Sequence, residues 1–279
     1  MPTQRNRSEG WQHAKRTGHT NEKLIAEITR QDPLIQQRLL QAAHKTGCTI
    51  QSIEYGGLCE TDVDSVLGGK TKSKTDMWLE LSDGTRLNVS IKKDTGGQVF
   101  LIGIDRFIQG FEAQYHQVID SSVKRALSLY FGSAEDTLEI INRFGNPATK
   151  ALEHRKHRLV GNTLKEYNSQ LYGELLQWFN THIAHLFDFC FAKGLALHSQ
   201  DWAHLVWYKN MVGENAFDTL IYLPDMSARI SPTAEYGTKN GGSTIQLPFG
   251  FVQWHSPRKI IPGSMQFHHN YFRLLELLR

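Results

Sequence analysis

The stretch KSKTDMWLELSDGTRLNVSIKKD, residues 72–94, combines an acid, a hydroxyl and an amine in one short pattern. Apolar and polar residues alternate in its two halves, as they do in strands that bury one face. The apolar set, which defines that buried face, is Leu79, Leu81, Leu87, Val89 and Ile91. Asp76, Ser90 and Lys92 hold the opposite parity, so a hairpin would place all three on the other face.

The turn of this hairpin decides which residues lie opposite each other. A two-residue turn at the Asp-Gly pair would mix the apolar and polar faces. A three-residue turn over 82–84, with Gly84 in the left-handed conformation that glycine tolerates, places Asp76 across from Ser90. Lys92 then lies diagonally beside them, about 7–8 Å from Asp76 between Cα atoms. We therefore predict the three-residue turn.

An acid, a hydroxyl and a lysine grouped in this way suit the hydrolysis of a phosphodiester. A carboxylate can hold a divalent cation, which polarises the phosphate and lowers the pKa of its bound water. Mg²⁺ fits such a site, because it takes few protein oxygens and keeps several waters. A neighbouring lysine can orient that water or balance the charge that develops on the phosphate. The alternative interpretation is an ordinary solvated sheet face without a chemical role.

Asp76 followed by Ser90-Ile91-Lys92 resembles the signature of the PD-(D/E)XK nucleases. Ser or Asn at the second acidic place is similar to the variant in several type II restriction endonucleases. The segment RTGHTNEKLIAEIT, residues 16–29, is similar to the helix that precedes their catalytic core and often carries a Glu. The resemblance covers roughly residues 15–115. It implies a mixed sheet flanked by helices, Mg²⁺-dependent cleavage of double-stranded DNA, and catalytic roles for Asp76, Ser90 and Lys92.

Two positions depart from the pattern of this family. Thr75 replaces a proline, which is harmless, whereas Ser90 replaces the second acid and leaves the metal short of a carboxylate. Some restriction enzymes with Ser at that place supply a Glu from a following helix, and Glu112 in DRFIQGFEAQY fits that role. Glu22, in the earlier helix, is the competitor. We therefore expect the metal to be held by Asp76 with Glu112 or Glu22, and we favour Glu112.

Two groups of polar residues are candidates for contacts to DNA. The basic run near residue 155 would contact phosphates through Arg155, Lys156 and Arg158. The C-terminal part would read base edges through Gln246, Gln253, His255, Arg258, Gln266 and His268. A solvated helix end and a half-buried strand with a polar outer face are the respective alternatives.

The order of the elements places this hairpin within an α/β or α+β chain. We expect a first helix to begin near Thr20 or Asn21, after a basic arm. Asp32-Pro33 separates it from a second helix that ends at Gly47. Strands follow over 49–104, then helices to Gly194, then strands again after Asn215 and a short final helix. We expect a mixed sheet flanked by helices, with a restriction-endonuclease-like core and additional C-terminal β elements.

The 279 residues suit one large domain or two small ones, and we expect a single domain, 1–279, with three regions. We expect a catalytic nuclease core over 15–130, a mainly helical region over 131–214 and a mainly β region for recognition over 215–279. The net charge of +3 excludes a polyanion-like protein and permits a local basic surface. The three cysteines share no metal-ligand spacing, and no apolar run suits a signal peptide or a membrane span. We expect a cytoplasmic protein without membrane contact.

Several functions remain open at this point. The leading one is a type II restriction enzyme that acts as a homodimer on double-stranded DNA, with a cognate DNA methyltransferase in the same system but no direct contact to it. The helical region 162–194 offers an apolar surface for the dimer, although core packing explains the same residues equally well. The alternatives are a repair, resolvase or transposition nuclease of the same fold, and a DNA-binding module whose nuclease site has decayed.

Overall fold

The computed structural model describes residues 7–56, 62–145, 157–213, 217–255 and 263–279, with side chains from Gly18 onward. The helices are α1 (Arg7–Gln31), α2 (Pro33–Ala42), α3 (Ile104–Tyr115), α4 (Ser121–Phe131), α5 (Thr137–Phe144), α6 (Gly161–Tyr167), α7 (Ser169–Thr181), α8 (Ile183–Asp188), α9 (Leu223–Arg229) and α10 (Tyr271–Leu278). The strands are β1 (Ile50–Tyr55), β2 (Asp62–Asp64), β3 (Lys70–Lys72), β4 (Met77–Leu81), β5 (Arg86–Lys92), β6 (Gly96–Gly103), β7 (Leu205–Lys209), β8 (Asp218–Tyr222), β9 (Glu235–Tyr236), β10 (Thr244–Leu247), β11 (Gly250–Trp254) and β12 (Ser264–Asn270).

The chain forms two compact units, each built from two segments. The first unit comprises Met1–Thr95 and Phe191–Met226, and the second comprises Gly96–Cys190 and Ser227–Arg279. Each unit contains one five-stranded sheet. The functional division at residues 130 and 214 that the sequence suggests stays a prediction.

The sheet of the first unit has the strand order β1-β4-β5-β7-β8. β5 and β7 run parallel, and the other neighbouring pairs run antiparallel, so the sheet is mixed. Ile25 of α1 and Leu39 of α2 pack into the same buried cluster as Leu79 and Val89 of the hairpin. The mixed sheet with its flanking helices confirms the fold class expected from the sequence.

The hairpin β4–β5 has the predicted register. Met77 lies across from Val89, which extends to Asp76 across from Ser90. The turn consists of residues 82–84, with Gly84 at a φ of 77°. This turn keeps the apolar set on one face and the polar set on the other.

The polar face of the hairpin is less exposed than a solvated sheet face would be. Asn88 and Ser90 are each only 2% exposed. The Asn88 side chain donates to the Gln200 carbonyl at 2.7 Å and to the Trp202 carbonyl at 2.8 Å. The segment before β7 therefore covers part of this face, and an ordinary solvated surface is excluded for these two residues.

Strand β7 was missing from the sequence-based expectation. Its residues LVWYK are buried except for the last one, so they show no alternation of apolar and polar residues. A strand that pairs on both sides and is covered on both faces has this continuous apolar character. Such a run has no period that identifies it as a strand.

The second unit contains an antiparallel sheet with the order β6-β12-β11-β10-β9. Its buried face carries Phe267, whose ring lies 5.9 Å from that of Phe107 on α3. The Trp178 ring on α7 packs against the same Phe107 ring, with 6.1 Å between ring centroids. The expected C-terminal β elements are thus confirmed, and they share a core with the helices of this unit.

The helix boundaries correct two expectations and divide the helical region 162–194. α1 begins at Arg7 rather than near Thr20, since the segment contains good helix formers such as Ala and Lys that outweigh its glycines. α2 ends at Ala42 rather than Gly47, and His44 takes a left-handed conformation after it. The region 162–194 is broken at Asn168, which is extended and caps α7 by accepting from the Leu171 N–H.

The apolar residues of this helical region belong to the core of the second unit. Leu171, Leu175, Trp178 and Phe179 are all at most 9% exposed. They therefore offer no dimer surface.

None of the helices in the described ranges combines the length and apolar character that crossing a membrane requires.

Candidate active site

Asp76 immediately precedes β4, and backbone hydrogen bonding with β5 holds it in place. Its N–H donates to the Val89 carbonyl at 3.0 Å, which continues the hairpin by one residue beyond β4. Its Oδ2 accepts from the Ile91 N–H at 2.6 Å and from the Ser90 hydroxyl at 3.2 Å. The hairpin therefore holds one carboxylate oxygen firmly. None of the hydrogen bonds seen among the described residues uses the other oxygen.

Ser90 joins the acid to the lysine. The Lys92 Nζ donates to the Ser90 Oγ at 2.7 Å and lies 3.9 Å from the Asp76 Oδ2. The hydroxyl thus accepts from the ammonium and donates to the carboxylate, so the three side chains form one hydrogen-bonded chain. Asp76 is 29% exposed and Lys92 is 22% exposed in their side chains, so both remain accessible.

Glu22 on α1 lies close enough to Asp76 for the two charges to interact. Burial and the negative charge of Asp76 raise the pKa of Glu22 to about 7, although His19 and Lys92 oppose the shift. The side chain is 15% exposed, and its Oε2 lies 3.1 Å from the His19 Nδ1. A carboxyl with this pKa is partly protonated at neutral pH, and a cation beside it would favour the ionised form.

Asn21 fixes the turn of α1 that carries Glu22. Its side chain is fully buried, donates to the Lys209 carbonyl at 2.9 Å and accepts from the Met211 N–H at 2.6 Å. These bonds attach α1 to the C-terminal end of β7. Since β5 and β7 are parallel and Lys92 pairs with Tyr208, the same edge of the sheet carries the end of β5. Glu22 is therefore held at the edge where Lys92 lies.

Glu112 has a different environment, within the second unit. Its Oε1 accepts from the Ile119 N–H at 2.8 Å and from the Lys124 Nζ at 2.7 Å. Burial alone would raise the pKa of Glu112, but these two donors outweigh it and hold the pKa below its ordinary value. The carboxylate closes the connection between α3 and α4. The preference for Glu112 is therefore reversed, and we carry Glu22 forward as the partner of Asp76.

Asp76 and Glu22 suit a hard divalent cation. The described part of the chain contains no group of three or more His, Cys, Asp or Glu side chains arranged for a metal. Mg²⁺ does not require such a group, because it binds through one or two carboxylates and keeps several waters. Burial, and after it the negative charge of Asp76, raise the pKa of Glu22, and a cation between the two acids would favour their ionised forms.

The basic run predicted to contact phosphates is described only in part. Arg155 and Lys156 lie outside the described residues. Arg158 is 5% exposed, donates to the Ser243 carbonyl at 2.8 Å and lies over the Tyr130 ring at 4.9 Å. Its guanidinium belongs to the core of the second unit. The expectation that Arg158 contacts phosphate is therefore corrected, since the burial leaves it no surface for DNA.

The predicted base-reading residues have different environments. Gln246 is occupied at both ends: its Oε1 accepts from Arg273 at 3.1 Å and its Nε2 donates to Thr244 at 3.0 Å. Gln253, Gln266 and His268 are half-buried and lie together on β11 and β12. His255 follows β11 and is half-buried, and its N–H donates to the Ser264 carbonyl at 3.1 Å. Arg258 lies outside the described residues.

Sequence reasoning missed two residues beside the site, His19 and Asn21. His19 precedes Glu22 by one helical turn, and this i, i+3 spacing is the signal that a search for helical neighbours would have detected. The sequence indicates Asn21 only as a possible helix start. Its actual partners are on β7, a strand that the sequence analysis did not identify.

Comparisons with known proteins include a distant structural likeness. No family model matches the chain, and no curated protein matches it. Among solved structures, the chain is similar to the restriction endonuclease MspI in complex with its cognate DNA, with a TM-score of 0.45 and 14% sequence identity. The match covers 84% of this chain and 76% of that chain. A likeness of this degree transfers neither an activity nor a residue role to this chain.

Proposed function

We propose that this chain is a Mg²⁺-dependent endonuclease that hydrolyses phosphodiester bonds at specific sites in double-stranded DNA, as type II restriction enzymes do. The observation that carries the proposal is the hydrogen-bonded chain from Lys92 through Ser90 to Asp76, with Glu22 beside it. Two acids and a lysine at one edge of a mixed sheet provide the groups that phosphodiester hydrolysis needs.

Asp76 and Glu22 are the residues that would hold Mg²⁺. When bound, the ion would polarise the phosphate and lower the pKa of a coordinated water. Ser90 and the Ile91 N–H fix the orientation of the Asp76 carboxylate. Ser90 also holds the Lys92 ammonium, so that its positive charge is available to the phosphate as negative charge builds up.

The same chain of bonds argues against a decayed nuclease. A decayed site is expected to lose the geometry that chemistry requires, whereas Ser90 here connects the acid and the lysine at hydrogen-bonding distances. Ser90 stands at the place of the second acid and supplies no carboxylate, and Glu22 would supply the second carboxylate instead. A decayed site would bind duplex DNA and leave it intact with Mg²⁺.

The choice between a restriction enzyme and a repair, resolvase or transposition nuclease depends on the substrate. A restriction enzyme cuts unmodified linear duplex at one short sequence without a partner protein, and methylation of that sequence blocks it. A homodimer is the simplest arrangement for cutting both strands of a symmetric site. Sedimentation of the DNA complex with one protomer, together with double-strand cleavage in a single encounter, would contradict the dimer.

The test is to digest a phage DNA of known sequence with and without Mg²⁺. We expect discrete fragments that all end at one sequence motif, and only with the metal. Random nicking or cutting only at branched junctions would favour the alternative nucleases. Intact DNA under all metal conditions would contradict the proposed activity.

A further inference from the structure

The sheet of the second unit contains an unusual set of polar side chains. β6, β10, β11 and β12 contain no Asp, Glu, Lys or Arg. The first-unit sheet, in contrast, carries charged side chains on each of its five strands, including Glu80, Arg86 and Asp218. The polar side chains of these four strands of the second sheet are mainly amides, hydroxyls and imidazoles. Such groups form hydrogen bonds at neutral pH without a net charge.

Four of these residues form one hydrogen-bonded array across three neighbouring strands. The Gln266 Nε2 on β12 donates to the Gln98 Oε1 on β6 at 2.8 Å. The Gln253 Nε2 on β11 donates to the Gln266 Oε1 at 3.1 Å and lies 3.3 Å from the His268 Nε2. The His268 ring stacks on Phe251, with 4.4 Å between ring centroids. We call Gln98, Gln253, Gln266 and His268 the amide array.

The hydrogen bonds give the amide array a direction. At one end, the bonds within the array use the Gln98 oxygen and leave its amino group as a donor. At the other end, they use the Gln253 amino group and leave its oxygen as an acceptor. Burial keeps the pKa of His268 below its ordinary value, which favours a neutral ring that accepts at Nε2. The array therefore presents a donor and an acceptor at defined ends.

A neutral array with this polarity complements base edges better than phosphates. The electrostatic attraction to phosphates comes from Arg and Lys, which these four strands lack. Base edges in the major groove are neutral and present distinct patterns of donors and acceptors. Glutamine matches such patterns because its amide both donates and accepts. A β element can enter the major groove.

We infer that the amide array reads base edges of duplex DNA as one unit, and that Gln98 is a specificity-determining residue at its donor end. Gln98 faces a base that carries a major-groove acceptor, which includes G, A and T but not C. The Gln253 oxygen faces a base with an amino group, which is A or C. This inference rests on the proposed function, since it assigns the recognition surface of the proposed nuclease.

The array predicts coupling between its members. Gln98 orients the Gln266 amide, and Gln266 in turn orients Gln253, so removal of Gln98 disturbs recognition beyond its own base. Residues of one hydrogen-bond network give non-additive effects. The losses of Gln98→Ala and Gln266→Ala should therefore overlap rather than multiply in the double variant.

The experiment selects duplexes from a randomised pool with the full chain in Ca²⁺, and then measures binding and Mg²⁺-dependent cleavage of the selected duplex. The variants are Gln98→Ala, Gln98→Glu, Gln266→Ala and the double variant. Gln170→Ala is the matched control, because Gln170 is an exposed glutamine on α7 of the same unit. Thermal unfolding of each variant, compared with wild type, verifies the fold.

We expect Gln98→Ala to lose about 5- to 150-fold discrimination at one base position, and Gln170→Ala to match wild type. Gln98→Glu replaces the donor by an acceptor and should shift that position towards A or C. Folded Gln98 variants that select the wild-type sequence would overturn the inference. Multiplicative losses in the double variant would overturn it as well.

The failure of this inference is separable from the failure of the proposed nuclease. A chain that selects a sequence through Gln98 but does not cut it leaves the inference standing and contradicts the proposed activity. A chain that cuts duplex DNA without sequence preference overturns the inference and leaves the nuclease. A chain that binds no duplex overturns both.

Discussion

The two sheets differ in strand direction and in the chemistry of their polar faces. The first-unit sheet is mixed and has charged side chains at its edge, where Asp76 and Lys92 lie on the same hydrogen-bonded chain. The second-unit sheet is antiparallel, and in four of its strands all of the polar side chains are neutral. Charged side chains suit the hydrolysis of a phosphodiester. Neutral amides suit the recognition of base edges. The proposed function therefore places phosphodiester chemistry in the first unit and sequence recognition in the second.

Replacement of the two candidate glutamates tests this assignment with a large expected effect. Glu22→Gln removes a carboxylate beside Asp76 and should reduce the cleavage rate at least about 100-fold, since metal stabilisation of transition-state charge is worth several kcal/mol. Glu112→Gln should leave the rate unchanged and lower the free energy of unfolding by about 0.5–1.5 kcal/mol through the weakened contact to Lys124. Single-turnover rates and urea unfolding measure the two effects. A large loss of rate in Glu112→Gln with a normal rate in Glu22→Gln would instead indicate Glu112, in the second unit, as the catalytic acid.

Replacement of Arg158 tests whether this basic side chain of the second unit stabilises the fold or contacts DNA. Arg158→Met removes the bond to Ser243 and the contact to Tyr130, and should lower the free energy of unfolding by about 2–4 kcal/mol. The dependence of DNA binding on salt should not change. A decrease of about one in the slope of log K against log salt would instead show that Arg158 contacts a phosphate.

The dependence of metal binding on pH reports directly on the first unit. The pKa of Glu22 is raised to about 7, so below that pH the carboxyl is protonated and must lose its proton to hold a cation. We expect the affinity for Mn²⁺, measured by calorimetry without DNA, to fall as pH decreases from 8 to 6. Proton release on binding should increase over the same range. An affinity that is independent of pH would mean that Glu22 is not a ligand, and Glu22→Gln serves as the control.

Ser90 should give the smallest effect, because it positions the lysine and the acid without touching the substrate. Ser90→Ala removes its bonds to Lys92 and Asp76, and we expect about tenfold slower cleavage with little change in duplex affinity. Ser90→Thr keeps the hydroxyl and should recover most of the rate. A tenfold loss in both variants would indicate a packing defect at this buried position.

The sequence determined the hairpin more completely than the rest of the site. Alternation of apolar residues and a single Asp-Gly turn were sufficient to predict the register that joins Asp76 and Ser90, because both are local properties. The choice between Glu22 and Glu112 depends on long-range contacts, because bonds from Asn21 to β7, nearly two hundred residues away in the chain, position Glu22. The burial of Arg158 likewise depends on contacts with Tyr130 and Ser243, which a basic run in the sequence does not reveal.

The recognition surface illustrates the same limit. Gln253, Gln266 and His268 could be selected because they alternate with apolar residues in recognisable strands. Gln98 could not, because its pairing with β12 joins distant parts of the chain through a register shift between Phe267 and His268. Local patterns thus predict which face of a strand is polar, but long-range pairing decides which polar residues act together.

Cleavage by Lys92→Ala and Asp76→Ala tests the central claim most directly. The measurement is single-turnover cleavage of a cognate duplex in Mg²⁺, with duplex binding in Ca²⁺ measured in parallel. Lys45→Ala is the control, since Lys45 pairs with Asp83 at the turn of the same hairpin. We predict that the two site variants bind duplex DNA but do not cut it, whereas the control cuts normally. Wild-type cleavage by either Lys92→Ala or Asp76→Ala would show that this hairpin is not the active site.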